Sequence, residues 1–176
     1  MPEEIVEIER CGVSAAPAIT EIGRATFVET YAEQTDAEEM RRYLDQAFDP
    51  GRITAQLSEP ESTFYLARSG GTVTGYLKVN RGAAQTELKE KAGIEIESLY
   101  VLDDFQGRGI GRLLLARAFD EARKQGAKYI WLGVWGRNSS ARRFWKKMGF
   151  VEFGSHAFRF GDVEHTDVMM SLYLGA

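Results

Sequence analysis

The chain of 176 residues contains a single cysteine, Cys11, so it cannot form an internal disulfide. Cys11 lies just past an apparent first strand and reads as a structural thiol, not a nucleophile. No window reaches the roughly 18 unbroken apolar residues of a membrane span, and the opening Met1-Pro2-Glu3-Glu4 is acidic where a secretion signal is basic and then apolar. A cytoplasmic protein with no membrane partner is therefore expected. Positive charge is not in excess either: 22 Lys and Arg against 26 Asp and Glu leave a net charge of −4, which argues against nucleic acid as a partner and suits a cationic substrate. There is no repeat, low-complexity tract or interdomain linker, and 44% hydrophobic with 27% charged residues is ordinary for one globular domain spanning 1–176.

What the chain does have is a distinctive stretch from Ile94 to Gly126. Ile94, Ile96, Leu99, Tyr100 and Val101 read as a strand that stops at Asp103-Asp104. From Ile110 the period becomes helical, with Ile110, Leu113, Leu114, Ala118, Phe119 and Ala122 recurring on one side until Gly126 supplies a C-cap. Gln106-Gly107-Arg108-Gly109-Ile110-Gly111 therefore sits at a strand-to-helix turn. Glycines there let backbone N–H groups approach a ligand, and the first helical turn adds its own unpaired N–H groups and dipole, which makes an anion site suited to a pyrophosphate. A dinucleotide fingerprint starting at Gly107 would need glycine at Arg112, and the P-loop ending in Gly-Lys-Ser/Thr is absent.

Along the rest of the chain, Ile5, Val6 and Ile8 suggest a first strand. A helix follows Ser14 with Pro17 in its first turn and Ile19, Ile22, Ala25, Phe27 and Tyr31 toward one side; Asp36 caps a second helix bearing Met40, Tyr43, Leu44 and Phe48. Asp49-Pro50 opens a short third helix through Leu57. Phe64–Ala67 and Val73–Val79 form a hairpin about Ser69-Gly70-Gly71, and 81–93 reads as a loop. Tyr129–Trp135 is a strand parallel to the central one, with the intervening helix as crossover. Asn138, Ser139 and Ser140 cap a helix with apolar positions 141, 144, 145 and 148, and two strands, Phe150–Phe160 and Val168–Leu174, meet at a polar turn around Gly161-Asp162. The fold class is α/β, a mixed and mostly antiparallel sheet with helices on both faces. The C-terminal edge leaves a homodimer open as an assembly.

Gln106, Gly109 and Gly111 match Gln/Arg-x-x-Gly-x-Gly/Ala, which resembles the acetyl-coenzyme A pyrophosphate loop of the GNAT acetyltransferases. Glu97-Ser98-Leu99-Tyr100-Val101 is similar to that family's fourth strand, and Asn138 to Ala141 with Lys147-Met148-Gly149-Phe150 to its late helix and following strand. The element order resembles the whole fold nearly end to end. More narrowly, Thr26-Phe27-Val28-Glu29-Thr30-Tyr31 and Gly154-Ser155-His156 through Asp167 look like bacterial spermidine/spermine acetyltransferases of the PaiA type.

The resemblance implies acetyl-coenzyme A as co-substrate and a small-molecule amine, a polyamine first, as acceptor, with transfer to a peptide amine or a non-catalytic acyl-coenzyme A sensor as alternatives. The amides of Gly107, Arg108, Gly109, Ile110, Gly111 and Arg112 would hold the pyrophosphate, with charge from Arg108 and Arg112; the arm would pair with Leu99, Tyr100 and Val101 if the central strand splays from its neighbour. The Val101 N–H would stabilise the oxyanion. Asn138 would meet the arm, and Lys147 the terminal phosphates.

An amine with pKa about 10.4 must lose a proton before attack, and Glu97, placed by alternation on the face of Leu99 and Val101, is the candidate base. The family's leaving-group tyrosine is here Trp145, which cannot release a proton; expelling a thiolate of pKa about 8.5 at pH 7 costs about 2 kcal/mol. Phe27, Glu29 and Tyr31 are candidates for an acceptor pocket. Arg137, Arg142, Arg143, Lys146 and Lys147 read as a solvated helix face, and His156, Asp162, Glu164, His165 and Asp167 match no ligand spacing, so no metal is expected.

Overall fold

The computed structural model describes residues 4–160 and 163–175. Seven strands, β1 (Val6–Cys11), β2 (Ser62–Ser69), β3 (Thr72–Asn80), β4 (Gly93–Val101), β5 (Tyr129–Trp135), β6 (Val151–Phe160) and β7 (Val163–Tyr173), form one sheet in the order β1-β2-β3-β4-β5-β7-β6. All pairs are antiparallel except β4 with β5. The helices are α1 (Ala16–Tyr31), α2 (Ala37–Ala47), α3 (Pro50–Ser58), α4 (Ile110–Gln125) and α5 (Ser139–Lys147).

Alternation along the hairpin strands separates two cores. Tyr65, Ala67, Leu77 and Val79 pack with Ile110, Leu114, Leu115 and Ala118 of α4, whereas Phe64, Leu66 and Tyr76 pack with Ile19 and Ile22 of α1 and Ile53 of α3. Helices therefore cover both faces, as the pattern implied. The Asp36 and Asp49 caps also hold: Asp36 accepts from the N–H groups of Glu38 and Glu39 at 3.1 and 3.3 Å, and Asp49 from that of Arg52 at 3.1 Å.

Several boundaries and faces differ. β1 extends through Cys11, and β7 begins at Val163. In α1, Ala25 is exposed and Thr26 buried, its hydroxyl donating to the Ile22 carbonyl at 2.8 Å; in α4, Leu113 is 43% exposed and Leu115 takes the core position. Both errors are one residue wide, the phase slip a stripe of small apolar residues permits. The 81–92 connection is more than a polar loop, because Gln85 is buried and accepts from the Trp131 indole N–H at 2.7 Å. The turn expected at Gly161-Asp162 lies outside the described residues.

Burial and the Glu9 carboxylate push the Cys11 thiol up to about 11 from 9.0. Two units make the thiolate ~100-fold scarcer at pH 8, partly offset by its greater intrinsic nucleophilicity. Native protein should react with Ellman's reagent about 10-fold more slowly than free cysteine, and urea-unfolded protein at the free rate; equal rates for native and unfolded protein would refute this.

Candidate active site

β4 and β5 hydrogen-bond only over Gly93–Glu95 and Tyr129–Trp131, after which they diverge. The Leu102 N–H donates to Thr74 O at 2.8 Å, toward β3. Antiparallel alternation then turns the peptide groups of Leu99 and Val101 the other way, into the gap, unpaired by any strand. At the end of β4 the chain enters the glycine turn, where Gly107 and Gly109 have φ of 78° and 83° and nothing within 4 Å of where a Cβ would stand. The space beside them is cleft, and Gly109 is the N-cap of α4, whose first N–H groups point into it. Gly111 is small for another reason: a Cβ there would touch the Phe144 ring of α5 at 3.4 Å.

A cleft of about 1040 Å³ follows this path from the glycine turn to the start of α5. Leu99, Tyr100, Val101, Gln106, Gly107, Gly109, Ile110, Gly111, Arg112, Asn138 and Lys147, all expected at a coenzyme site, line it. A second cavity of about 130 Å³ continues into the β4/β5 gap, lined by Tyr31, Glu97, Tyr100, Trp135 and Asp167 among others. The two share Thr30, Leu99, Tyr100, Trp135, Asn138, Ala141 and Trp145.

Individual side chains depart from their expected roles. Arg108 does not line the cleft; it turns away to pair with Glu4 at 3.2 Å, donates to Asp104 O at 3.1 Å and lies 4.9 Å over the Phe105 ring. Gln106 braces the turn by donating to Val101 O at 3.0 Å. Asn138 is both cap and lining, its carbonyl accepting from the Ala141 N–H at 3.1 Å. Phe27 is no part of either cavity. It packs against Tyr31, Tyr43 and Phe160 with ring centroids 4.5, 4.6 and 5.4 Å away, in an aromatic core between α1, α2 and the C-terminal hairpin. Tyr31 joins that core and also borders the small cavity; Glu29 lines the cleft, but its carboxylate accepts from the Asp103 N–H at 2.8 Å. Of the basic cluster, Arg142 and Lys146 pair with Glu152 at 2.7 and 3.5 Å, while Arg137, Arg143 and Lys147 line the cleft.

Glu97 reaches the gap by an unexpected route. The β3–β4 register shifts between Lys78 and Val79, whose partners are Ser98 and Ile96, so Glu97 is the extra residue of a bulge. Ile94 and Ile96 before it face α4, and so do Leu99 and Val101 after it. Glu97 consequently points to the opposite face, where it pairs with Lys78 and accepts from Asn80 Nδ2 at 3.2 Å. Lys78 also donates to Gln56 at 3.1 Å and sits 5.5 Å over the Phe64 ring. Trp145 is 5% exposed and meets Phe144 and Phe150 edge-on at 5.0 Å each.

Asp167, passed over as a site residue in the sequence, borders the small cavity from β7 opposite Trp135. Glycine at 133 leaves room for it, since a Cβ there would stand 3.3 Å from its Oδ2. Burial pushes its carboxyl above the ordinary range, while His156 pulls it down. Burial also raises the Tyr100 hydroxyl to about 12.

The family model of the acetyltransferase (GNAT) family matches residues 18–150. An N-acetyltransferase of the pepI 3′ region of Lactobacillus delbrueckii subsp. lactis is 32% identical over 165 residues, 94% of this chain and 95% of the relative. An aminoalkylphosphonate N-acetyltransferase of Salmonella typhimurium is 36% identical over 123 residues, 69% and 75% of the two chains. Among solved structures, the PaiA N-acetyltransferase of Thermoplasma acidophilum in complex with coenzyme A superposes with a TM-score of 0.79 at 20% identity, over 96% of this chain and 99% of that one.

Proposed function

The chain belongs to the acetyltransferase (GNAT) family, and on that premise we propose that it acetylates a small cationic amine, a polyamine by preference, through direct attack on acetyl-coenzyme A in a ternary complex. Its activity is N-acetyl transfer from acetyl-coenzyme A. The observation that carries the acceptor class is the small cavity in the β4/β5 gap, which joins the carboxylates of Glu97 and Asp167 to the rings of Tyr31, Tyr100 and Trp135. Carboxylates and aromatic faces together favour an alkylammonium ion over a neutral or anionic acceptor. The Salmonella relative, named for an aminoalkylphosphonate acceptor, and the overlay on the PaiA enzyme support a small amine.

In this reading the amides of residues 107–112 and the charges of Arg112, Arg143 and Lys147 bind the phosphates, and the pantetheine arm adds as a short strand along Leu99 and Val101. The thioester oxygen then lies at the Val101 N–H, which stabilises the oxyanion. Holding both reactants in one gap supplies the rest of the acceleration. Trp145 is a packing residue here, and the thiolate leaves unprotonated at a cost of about 2 kcal/mol at pH 7.

Thiol release from acetyl-coenzyme A, with spermidine, spermine, a short diamine and a lysine peptide offered separately, tests the reading. Release with the polyamines at least ten times that with the peptide is expected. Release favouring the peptide would assign the acceptor to protein amines, and no release with any amine while calorimetry shows the coenzyme binding would remove the transferase reading.

A further inference from the structure

We infer that Asp167, positioned by His156, takes the proton from the acceptor's ammonium group, while Glu97 holds the cation electrostatically. This rests on the transferase reading and assigns the chemistry within the same gap.

The two carboxylates that border the cavity differ in what surrounds them. Glu97 is ion-paired with the buried Lys78 and takes a further hydrogen bond from Asn80. Both contacts fall on its Oε2, so that oxygen is already engaged by two donors of the protein itself. No lysine or arginine pairs with Asp167 among the described residues. Its basic neighbour is His156, on the paired strand position of β6, with Nε2 3.7 Å from Asp167 Oδ2. His156 is shared: its Nδ1 lies 3.4 Å from Glu87 Oε2 and 3.1 Å from Met169 Sδ. Asp167 has a side-chain exposure of 22%, Glu87 one of 42%, so the three groups run from the cavity toward solvent.

The other titratable groups around Asp167 are Tyr31 of α1, Tyr100 and Glu97 of β4, and His165 on β7 itself. His165 accepts from the Trp135 indole N–H at 3.2 Å and is buried among Tyr31, Phe158 and Phe160. Burial and the Glu87 charge raise the Asp167 carboxyl, which moves its basicity toward what an ammonium donor requires.

In the step, the ammonium N–H bond breaks and its proton passes to Asp167 Oδ2. The freed nitrogen pair forms the C–N bond, and the thioester π pair moves to oxygen. On collapse the C–S bond breaks with its pair on sulfur, and the amide nitrogen sheds its second proton, which protonates the thiolate in water. Asp167 returns its proton to solvent past His156 and Glu87, leaving one proton released per acetyl group transferred. His156 is a positioning residue in this scheme.

The test is kcat/KM for spermidine from pH 6 to 10 in the wild type, Asp167→Asn, Asp167→Glu, His156→Gln and Glu97→Gln. Asp167→Asn should fall about 100-fold at pH 7 and recover tenfold per pH unit as the amine deprotonates itself, with coenzyme A affinity by calorimetry unchanged. Asp167→Glu should regain part of the rate. His156→Gln should displace the acidic limb of the profile, and Glu97→Gln should raise KM more than it lowers kcat. A wild-type profile in Asp167→Asn with rates within threefold, or the 100-fold loss appearing in Glu97→Gln, overturns the assignment and leaves the transferase reading standing. A wild type that releases no thiol with any amine removes both.

Discussion

Gly109→Val should raise the coenzyme A dissociation constant at least 100-fold in calorimetry while the protein stays folded. Gly109 has φ 83° and ψ 3° and caps α4 at the mouth of the cleft. A side chain there costs about 1–2 kcal/mol in backbone strain, more for a β-branched residue. Nothing lies within 4 Å of the Cβ position, so the folded protein has room for it. That room is the space the pyrophosphate would fill. Leu113 N–H already donates to Gly109 O at 3.2 Å, which leaves the earlier amides of the turn for the ligand. Losing two charge-assisted hydrogen bonds at roughly 1.5–3 kcal/mol each gives the 100-fold floor. The melting temperature should fall by only about 2–8 °C. Gly111→Ala is the contrast: its Cβ meets Phe144 at an ordinary 3.4 Å, and it should cost less than tenfold. If Gly109→Val binds the coenzyme normally, the anion site is not at this turn.

The glycine turn was legible because three glycines, two of them at positive φ, fall within six residues between a strand pattern and a helix pattern. The β4/β5 gap was legible only through family resemblance, since periodicity does not reveal where two strands part. Glu97 shows how strict alternation misaims a candidate residue. Strict alternation put it with Leu99 and Val101, but the bulge turns it to the opposite face of the sheet, that of Tyr100. A signal was present: the core-facing residues are even-numbered at Ile94 and Ile96 and odd-numbered at Leu99 and Val101, and such a switch of parity requires an extra residue between them. Phe27 and Arg108 failed for a different reason. Both residue types suit a ligand, but both are satisfied within the fold, Phe27 by stacked rings and Arg108 by Glu4, which lies 104 residues away in the chain. Asp167 carried no local signal beyond a carboxylate in an apolar strand. Its place at the cavity depends on β4, β5, β6 and β7 arriving together, which no window of sequence contains.

Glu95→Gln should leave stability at neutral pH unchanged or slightly raised, whereas Glu95→Ala should cost about 3 kcal/mol and lower the melting temperature by about 6–12 °C. Glu95 is 3% exposed, and its Oε1 accepts from Asn80 Nδ2 at 3.0 Å and the Thr86 N–H at 2.8 Å, while Oε2 lies 2.5 Å from the Thr86 hydroxyl. Glutamine satisfies every one of these contacts: its carbonyl replaces Oε1, and its amide donates to the Thr86 hydroxyl, which can accept. Alanine empties a site that is 3% exposed, leaves the buried Asn80 amide with Glu97 as its remaining acceptor, and releases the 81–92 connection, which carries Glu87 toward His156. The pH dependence separates the two effects. Burial raises the Glu95 carboxyl in the folded state against the opposing hydrogen bonds from Thr86 and Asn80, so between the unfolded value of 4.5 and the higher folded value the native state binds more protons. Stability from this group therefore falls as pH rises through that window and is level above it. Urea unfolding at pH 4.5 and 8 should show Glu95→Gln gaining on the wild type as pH rises. A difference that stays flat, or an alanine variant as mild as the glutamine one, would mean that Glu95 is ionised without penalty and that the connection is held by Gln85 and Trp131 instead.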